Sequence, residues 1–149
     1  MTDNSTKTIT KILIVEDEVA LRKALAEEFS DNGYTVIEAG DGLEGFEKAI
    51  AEKPDIILLD QLMPKLNGVG MLKQLRQDPW GASVPVIMAT NMSTADTIND
   101  AIDAGANDYF IKSEVSIAEI TKLIKQRLEE MQTGLNDEGQ RLGDEDLLI

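Results

Sequence analysis

Glu16, Asp17, Asp60, Thr90 and Lys112 are the residues of this chain whose types and positions suggest chemistry. Each closes a short apolar run: "KILIV" leads into the first two, "DIILL" into Asp60, "VPVIMA" into Thr90 and "DYFI" into Lys112. A lone carboxylate at the end of so apolar a stretch is a liability, because an unpaired buried charge costs several kcal/mol or forces its own protonation. If the runs are neighbouring parallel strands, all five residues share the rim outside the carboxyl ends, where open parallel sheets hold their ligands. Three acids that close raise each other's pKa unless a cation sits among them. An oxygen-only donor set suits magnesium, typically held by one or two carboxylates together with phosphate oxygens. Lys112 is placed to meet a negative group and Thr90 to donate a hydrogen bond to one. The set is suited to a phosphoryl group beside a metal ion.

The elements that must deliver these residues follow from periodicity. Apolar runs at 11–15, 35–39, 55–60, 84–90 and 108–112 read as strands. Between them, residues 18–32 place Leu21, Leu25 and Phe29 on one helical face, closed by the left-handed chemistry of Asn32-Gly33. Further helices are predicted over 43–53, ending before Pro54, over 69–77 with Leu72 and Leu75 facing in, and from a cap at Ser93 or Thr94 to about Gly105. The last opens on Ser116 and Glu119 at capping-box spacing and carries Ile117, Ile120, Ile124, Leu128 and Met131 on one face. Regular alternation, with strands one, three and four apolar at consecutive positions, predicts a doubly wound α/β fold: a five-stranded parallel sheet with helices on both faces.

Composition narrows the chemistry. The chain has 149 residues, no cysteine and no histidine, which excludes disulfides, thiolate nucleophiles, Cys/His zinc sites and His-dependent triads. Its 28 acidic and 14 basic side chains give a net charge of -14, a field that repels nucleic-acid phosphates. No apolar run reaches the roughly 20 residues of a membrane span and the start is polar, so the expectation is a cytoplasmic protein with neither membrane nor nucleic acid as partner. Residues 1–7 read as a polar extension, 8–132 as one domain and 133–149 as an acidic, disordered tail.

Over about residues 8–130 the sequence resembles the receiver domain of two-component response regulators, of the single-domain type. The resemblance rests on "VED" after the first strand, the spacing D-x-x-M-P-x-x-x-G from Asp60 through Met63 and Pro64 to Gly68, then Thr90, and Tyr109 three residues before Lys112. It implies a flavodoxin-like strand order 2-1-3-4-5. It implies that Asp60 accepts a phosphoryl group from the phosphohistidine of a histidine kinase or phosphotransfer protein. Asp17, Asp60 and the Leu62 carbonyl would bind Mg2+ directly, and Glu16 through water. Thr90 and Lys112 would contact the phosphoryl oxygens, and Thr90 and Tyr109 would switch the surface of the fourth helix, fifth strand and fifth helix for a downstream protein. The implied protein is no enzyme beyond its own phosphoryl transfer and slow dephosphorylation, and a monomer or weak homodimer.

Departures from the family pattern leave a second reading open, a receiver-like interaction module that works without phosphorylation. Ser113 follows Lys112 where a cis-proline is usual, and a cis bond to serine costs about 3 kcal/mol, so a trans bond is expected. Asn91 is larger than the usual small residue, and Gln61 adds a polar group beside Asp60. Leu62 and Met92 cannot orient an attacking water, which predicts slow loss of the phosphoryl group.

Overall fold

The computed structural model describes residues 10–91 and 95–133, without the side chains of 95, 96, 132 and 133. Met92, the Ser93 or Thr94 cap, the 1–7 extension and the tail beyond 133 lie outside the described residues. The strands are β1 (Lys11–Val15), β2 (Thr35–Ala39), β3 (Ile56–Asp60), β4 (Val86–Thr90) and β5 (Asp108–Ile111). The helices are α1 (Val19–Asp31), α2 (Gly42–Glu52), α3 (Gly68–Gln77), α4 (Ala95–Asp103) and α5 (Ile117–Thr133). They divide into two compact units, one ending at Ser116 and one comprising α5 onward. In α5, Ile120, Ile124 and Leu128 are the buried apolar residues, at the helical spacing expected.

All strand pairs are parallel, in the order β2-β1-β3-β4-β5. Every residue of β3 and β4 is buried, as is all of β1 after Lys11, which is why these strands are apolar without alternation. Successive side chains serve opposite faces. Leu13, Val15, Ile57, Leu59, Val86 and Met88 join Ala49 of α2, Met71, Leu72 and Leu75 of α3 and Ala101 of α4 in one core. Ile12, Ile14, Ile56 and Leu58 face the other way and are buried, as are Leu25, Ala26 and Phe29 of α1, a helix packed on β1 and β2. Each fully buried leucine or isoleucine stabilises the fold by about 1.5–3 kcal/mol.

Register places the polar rim. Val15 pairs with Leu59, so Glu16 and Asp60 leave the sheet side by side. Asp60 pairs with Ala89 and Thr90 with Ile111, which brings Thr90 and Lys112 to the same edge. The chain runs from β1 outward to β2 and then returns past β1 to β3; the reversal opens a crevice between the ends of β1 and β3.

The element boundaries differ from the sequence expectation at informative places. Strand five stops at Ile111, and Lys112, Ser113 and Glu114 form a single 3-10 turn. Among the described residues no peptide bond is cis, Lys112–Ser113 included. Strand four begins at Val86 because Pro85 cannot donate to the ladder. Helix α2 starts at Gly42, one residue before the expected 43. Asp41 caps it by accepting from the Glu44 N–H at 2.8 Å, while the Glu44 carboxylate accepts from the Gly40 N–H at 2.7 Å. This reciprocal pair satisfies two donors that the helix cannot and holds both carboxyls below their usual pKa. Gly42 has no room for a Cβ, which would strike the Leu66 backbone carbonyl. Asp41→Ala is expected to cost about 1 kcal/mol in a denaturant melt, and an unchanged midpoint would show the cap to be idle.

Arg76, at the end of α3, ties down the opposite edge. Its guanidinium donates to the carbonyls of Gly81 and Val84 at 2.7 Å each and of Gly105 at 2.8 Å. Burial lowers its pKa. Two loops that carry no chemistry, α3–β4 and α4–β5, are thereby fixed by one side chain.

Candidate functional site

The structure brings the three predicted acids together. Carboxylate oxygens of Glu16, Asp17 and Asp60, one from each, lie within 4.8 Å of one another. Glu16 and Asp60 are buried, 3% and 5% exposed, whereas Asp17 opens to solvent. Lys112 bridges the two buried acids, its Nζ donating to Glu16 Oε1 at 2.9 Å and to Asp60 Oδ1 at 3.2 Å. The second oxygen of Glu16 accepts from the Glu18 N–H at 3.1 Å.

One ammonium against three carboxylates leaves the cluster electrically short. Burial, reinforced by the charge of Glu16, raises the Asp60 pKa to about 6 in spite of Lys112. Burial alone would lower the pKa of Lys112, but its hydrogen bond to Glu16 and the charge of Asp60 leave it raised. A buried carboxylate that ionises only reluctantly, beside two further acids, is an environment that a divalent cation relieves. The donors are all oxygens, two of the acids are buried and one is open to water, which fits magnesium.

Thr90 ends β4 and is buried. With Tyr109 of β5, Gln61, Met88, Thr97 and Ile98 it lines a small cavity of about 10 Å³, room for roughly one water molecule. Tyr109 is partly buried against the core. Leu62 is 58% exposed, standing away from the core on the loop after β3. Asn91 is exposed.

Two contributors escaped the sequence reading. Arg22, one turn into α1, donates from Nη1 to the Glu16 carbonyl at 3.0 Å and from Nε to Glu38 Oε1 at 3.1 Å, fastening the acidic turn to the end of β2. Only its place five residues after Asp17 hinted at this. Gln61, read as an odd polar neighbour of Asp60, uses its side-chain oxygen to accept from the Val69 N–H at 2.8 Å, at the start of α3.

The family model for the response regulator receiver domain matches residues 12–125, and the chain belongs to that family. Among the similar curated proteins, a probable transcriptional regulator ycf27 of Guillardia theta is 40% identical over 111 residues, 74% of this chain and 42% of that protein. The response regulator MprA of Mycobacterium leprae is 36% identical over 118 residues, 77% of this chain and 51% of that one. This chain thus spans about half the length, or less, of these curated relatives. Among solved structures, a CheY-like receiver domain protein of Methanospirillum hungatei superposes with a TM-score of 0.77 at 25% identity, covering 85% of this chain and 98% of that one. The chemotaxis response regulator CheY4 of Vibrio cholerae gives 0.74 at 26% identity, covering 79% and 98%.

Receiver domains are the phosphorylation-dependent switches of two-component signalling; they work with histidine kinases and downstream effectors and generally bind Mg2+. The fold and strand order expected from the resemblance are those observed. Among the described residues, no helix is long and apolar enough to cross a membrane.

Proposed function

We propose that this chain is a signalling switch in which Asp60 accepts a phosphoryl group from a phosphohistidine on a kinase or phosphotransfer protein. The observation that carries this reading is the placement of Asp60: buried at the end of the central strand, 3.2 Å from Lys112 and clustered with Glu16 and Asp17. An Asp60 oxygen attacks phosphorus, the nitrogen–phosphorus bond breaks, and its electron pair leaves with the imidazole. Asp17, Asp60 and the Leu62 carbonyl would hold magnesium, which would supply positive charge for the phosphoryl oxygens. Glu16 suits a role through water, because Lys112 and the Glu18 N–H already engage both of its oxygens. Lys112 neutralises a second phosphoryl oxygen, and the Thr90 hydroxyl donates to a third.

The cavity beside Thr90 supports an output step. Drawing Thr90 toward a phosphoryl group enlarges the space that Tyr109 borders, and a Tyr109 ring turned into it changes the surface of α4 and β5. A protein that prefers this surface shifts the population by its differential affinity. The exposed, apolar Leu62 cannot align a water on the acyl phosphate, which supports a long-lived phosphoryl group.

Incubation with Mg2+ and acetyl phosphate tests the proposal by intact mass. The expected result is a gain of one phosphoryl group, lost in Asp60→Asn. No gain, or a gain that survives the substitution, returns the chain to the reading of a phosphorylation-independent interaction module.

A further inference from the structure

Residues 62–67 form a loop whose two ends meet at a single residue. The Gln61 carbonyl accepts from the Gly68 N–H at 2.9 Å and the Gln61 side chain accepts from the Val69 N–H at 2.8 Å. Gln61 is itself fixed to the sheet, its N–H donating to the Ala89 carbonyl at 3.0 Å. Space at the neck is already spent: a Cβ on Gly68 would lie 2.9 Å from the Gln61 side-chain oxygen. At its far end the loop leans on α2, through the Leu66 backbone at Gly42 and the Lys65–Asp41 pair at 3.6 Å. Leu62 is the first residue beyond the neck.

We propose that Gln61 is a positioning residue for the cation of this site, its side chain latching the loop neck so that the Leu62 carbonyl is held ready as a ligand. The inference rests on the magnesium site proposed above. It goes beyond helix capping, which Asn67 also performs for α3 by accepting from the Gly70 N–H at 2.8 Å. A capping role alone predicts that losing either acceptor lowers stability and leaves cation affinity untouched. A latch predicts that only Gln61 affects affinity, as outer partners of metal ligands do.

Calorimetric titration of Mg2+ into the full chain separates these cases, using wild type, the near-isosteric Gln61→Met and Asn67→Ala. Gln61→Met is expected to bind magnesium about tenfold more weakly than wild type, with Asn67→Ala unchanged. Equal affinity in Gln61→Met and wild type, or an equal loss in Asn67→Ala, overturns the latch. Wild type that binds no magnesium overturns both the latch and the site it serves. A second measurement needs no variant. Because coupling is reciprocal, saturating magnesium is expected to slow hydrogen exchange of the wild-type Val69 amide more than that of Gly70. Equal slowing overturns the proposal.

Discussion

Without divalent cations at pH 7, Asp60→Asn is expected to unfold at a higher temperature than wild type. The Asp60 pKa stands at about 6 in the folded chain against an ordinary 3.8, with burial the largest cause. A value near 6 against 3.8 corresponds to roughly 3 kcal/mol by which ionised Asp60 weakens the fold. Asparagine removes the charge but also weakens the contact to Lys112, so a net gain of about 1–3 kcal/mol is expected, with each kcal/mol worth roughly 3 °C.

The pH dependence fixes the sign. The folded state binds the Asp60 proton more tightly than the unfolded one, so this contribution is fully present below about pH 4 and is lost as pH rises toward 6. Wild type in chelator therefore loses stability over that window relative to Asp60→Asn. If the proposed site takes up magnesium, saturating Mg2+ is expected to reverse the ranking. Trp80 is a convenient reporter for the melts, since it follows α3 at the N-terminal edge of the sheet, beneath the Lys53 ammonium at 5.6 Å. A variant no more stable than wild type at pH 7 would refute a strained Asp60.

Lys112→Met is expected to act in the opposite direction and more strongly. The Lys112 side chain is 15% exposed and its two partners 5% each. Removing one member of a buried ion pair strands the rest, which costs about 3–5 kcal/mol. Here the lysine serves two acids, so a loss of about 3 kcal/mol or more is expected at pH 7 in chelator. Acidification recovers part of it, because Asp60 can then take up a proton in place of the ammonium. The double variant Lys112→Met/Asp60→Asn is expected to lose less than the single Lys112→Met, since the two residues share one network. Strict additivity in urea melts would mean that the contact between them carries no coupling.

These expectations draw on residues that were legible to different degrees. The sheet was readable because β1, β3 and β4 are buried on both faces, so their apolar runs are uninterrupted. The same runs pointed to Asp60, Thr90 and Lys112 as strand ends. What could not be read was the hydrogen bonding beyond those ends. Gln61 looked like an intrusion because nothing local shows that its side chain reaches an N–H eight residues on. Arg22 was hidden on a helix whose apolar positions dominated its reading, although it holds the Glu16 carbonyl. The cap at Asp41 was not read, since it sits between two glycines, of which Gly42 is required by the close Leu66 backbone and not by flexibility.

The ion pairs of Lys112 reach across 96 residues to Glu16 and 52 to Asp60. Contacts so distant in sequence form late, after the loop-closure entropy of the intervening chain has been met. A partly assembled chain, with β1 to β3 paired but β5 undocked, would gather the acids without their lysine. Such a species repels itself at neutral pH and has no ammonium to receive a phosphoryl oxygen. The wide spacing of Glu16, Asp60 and Lys112 thus ties the proposed phosphoryl acceptance to the finished fold.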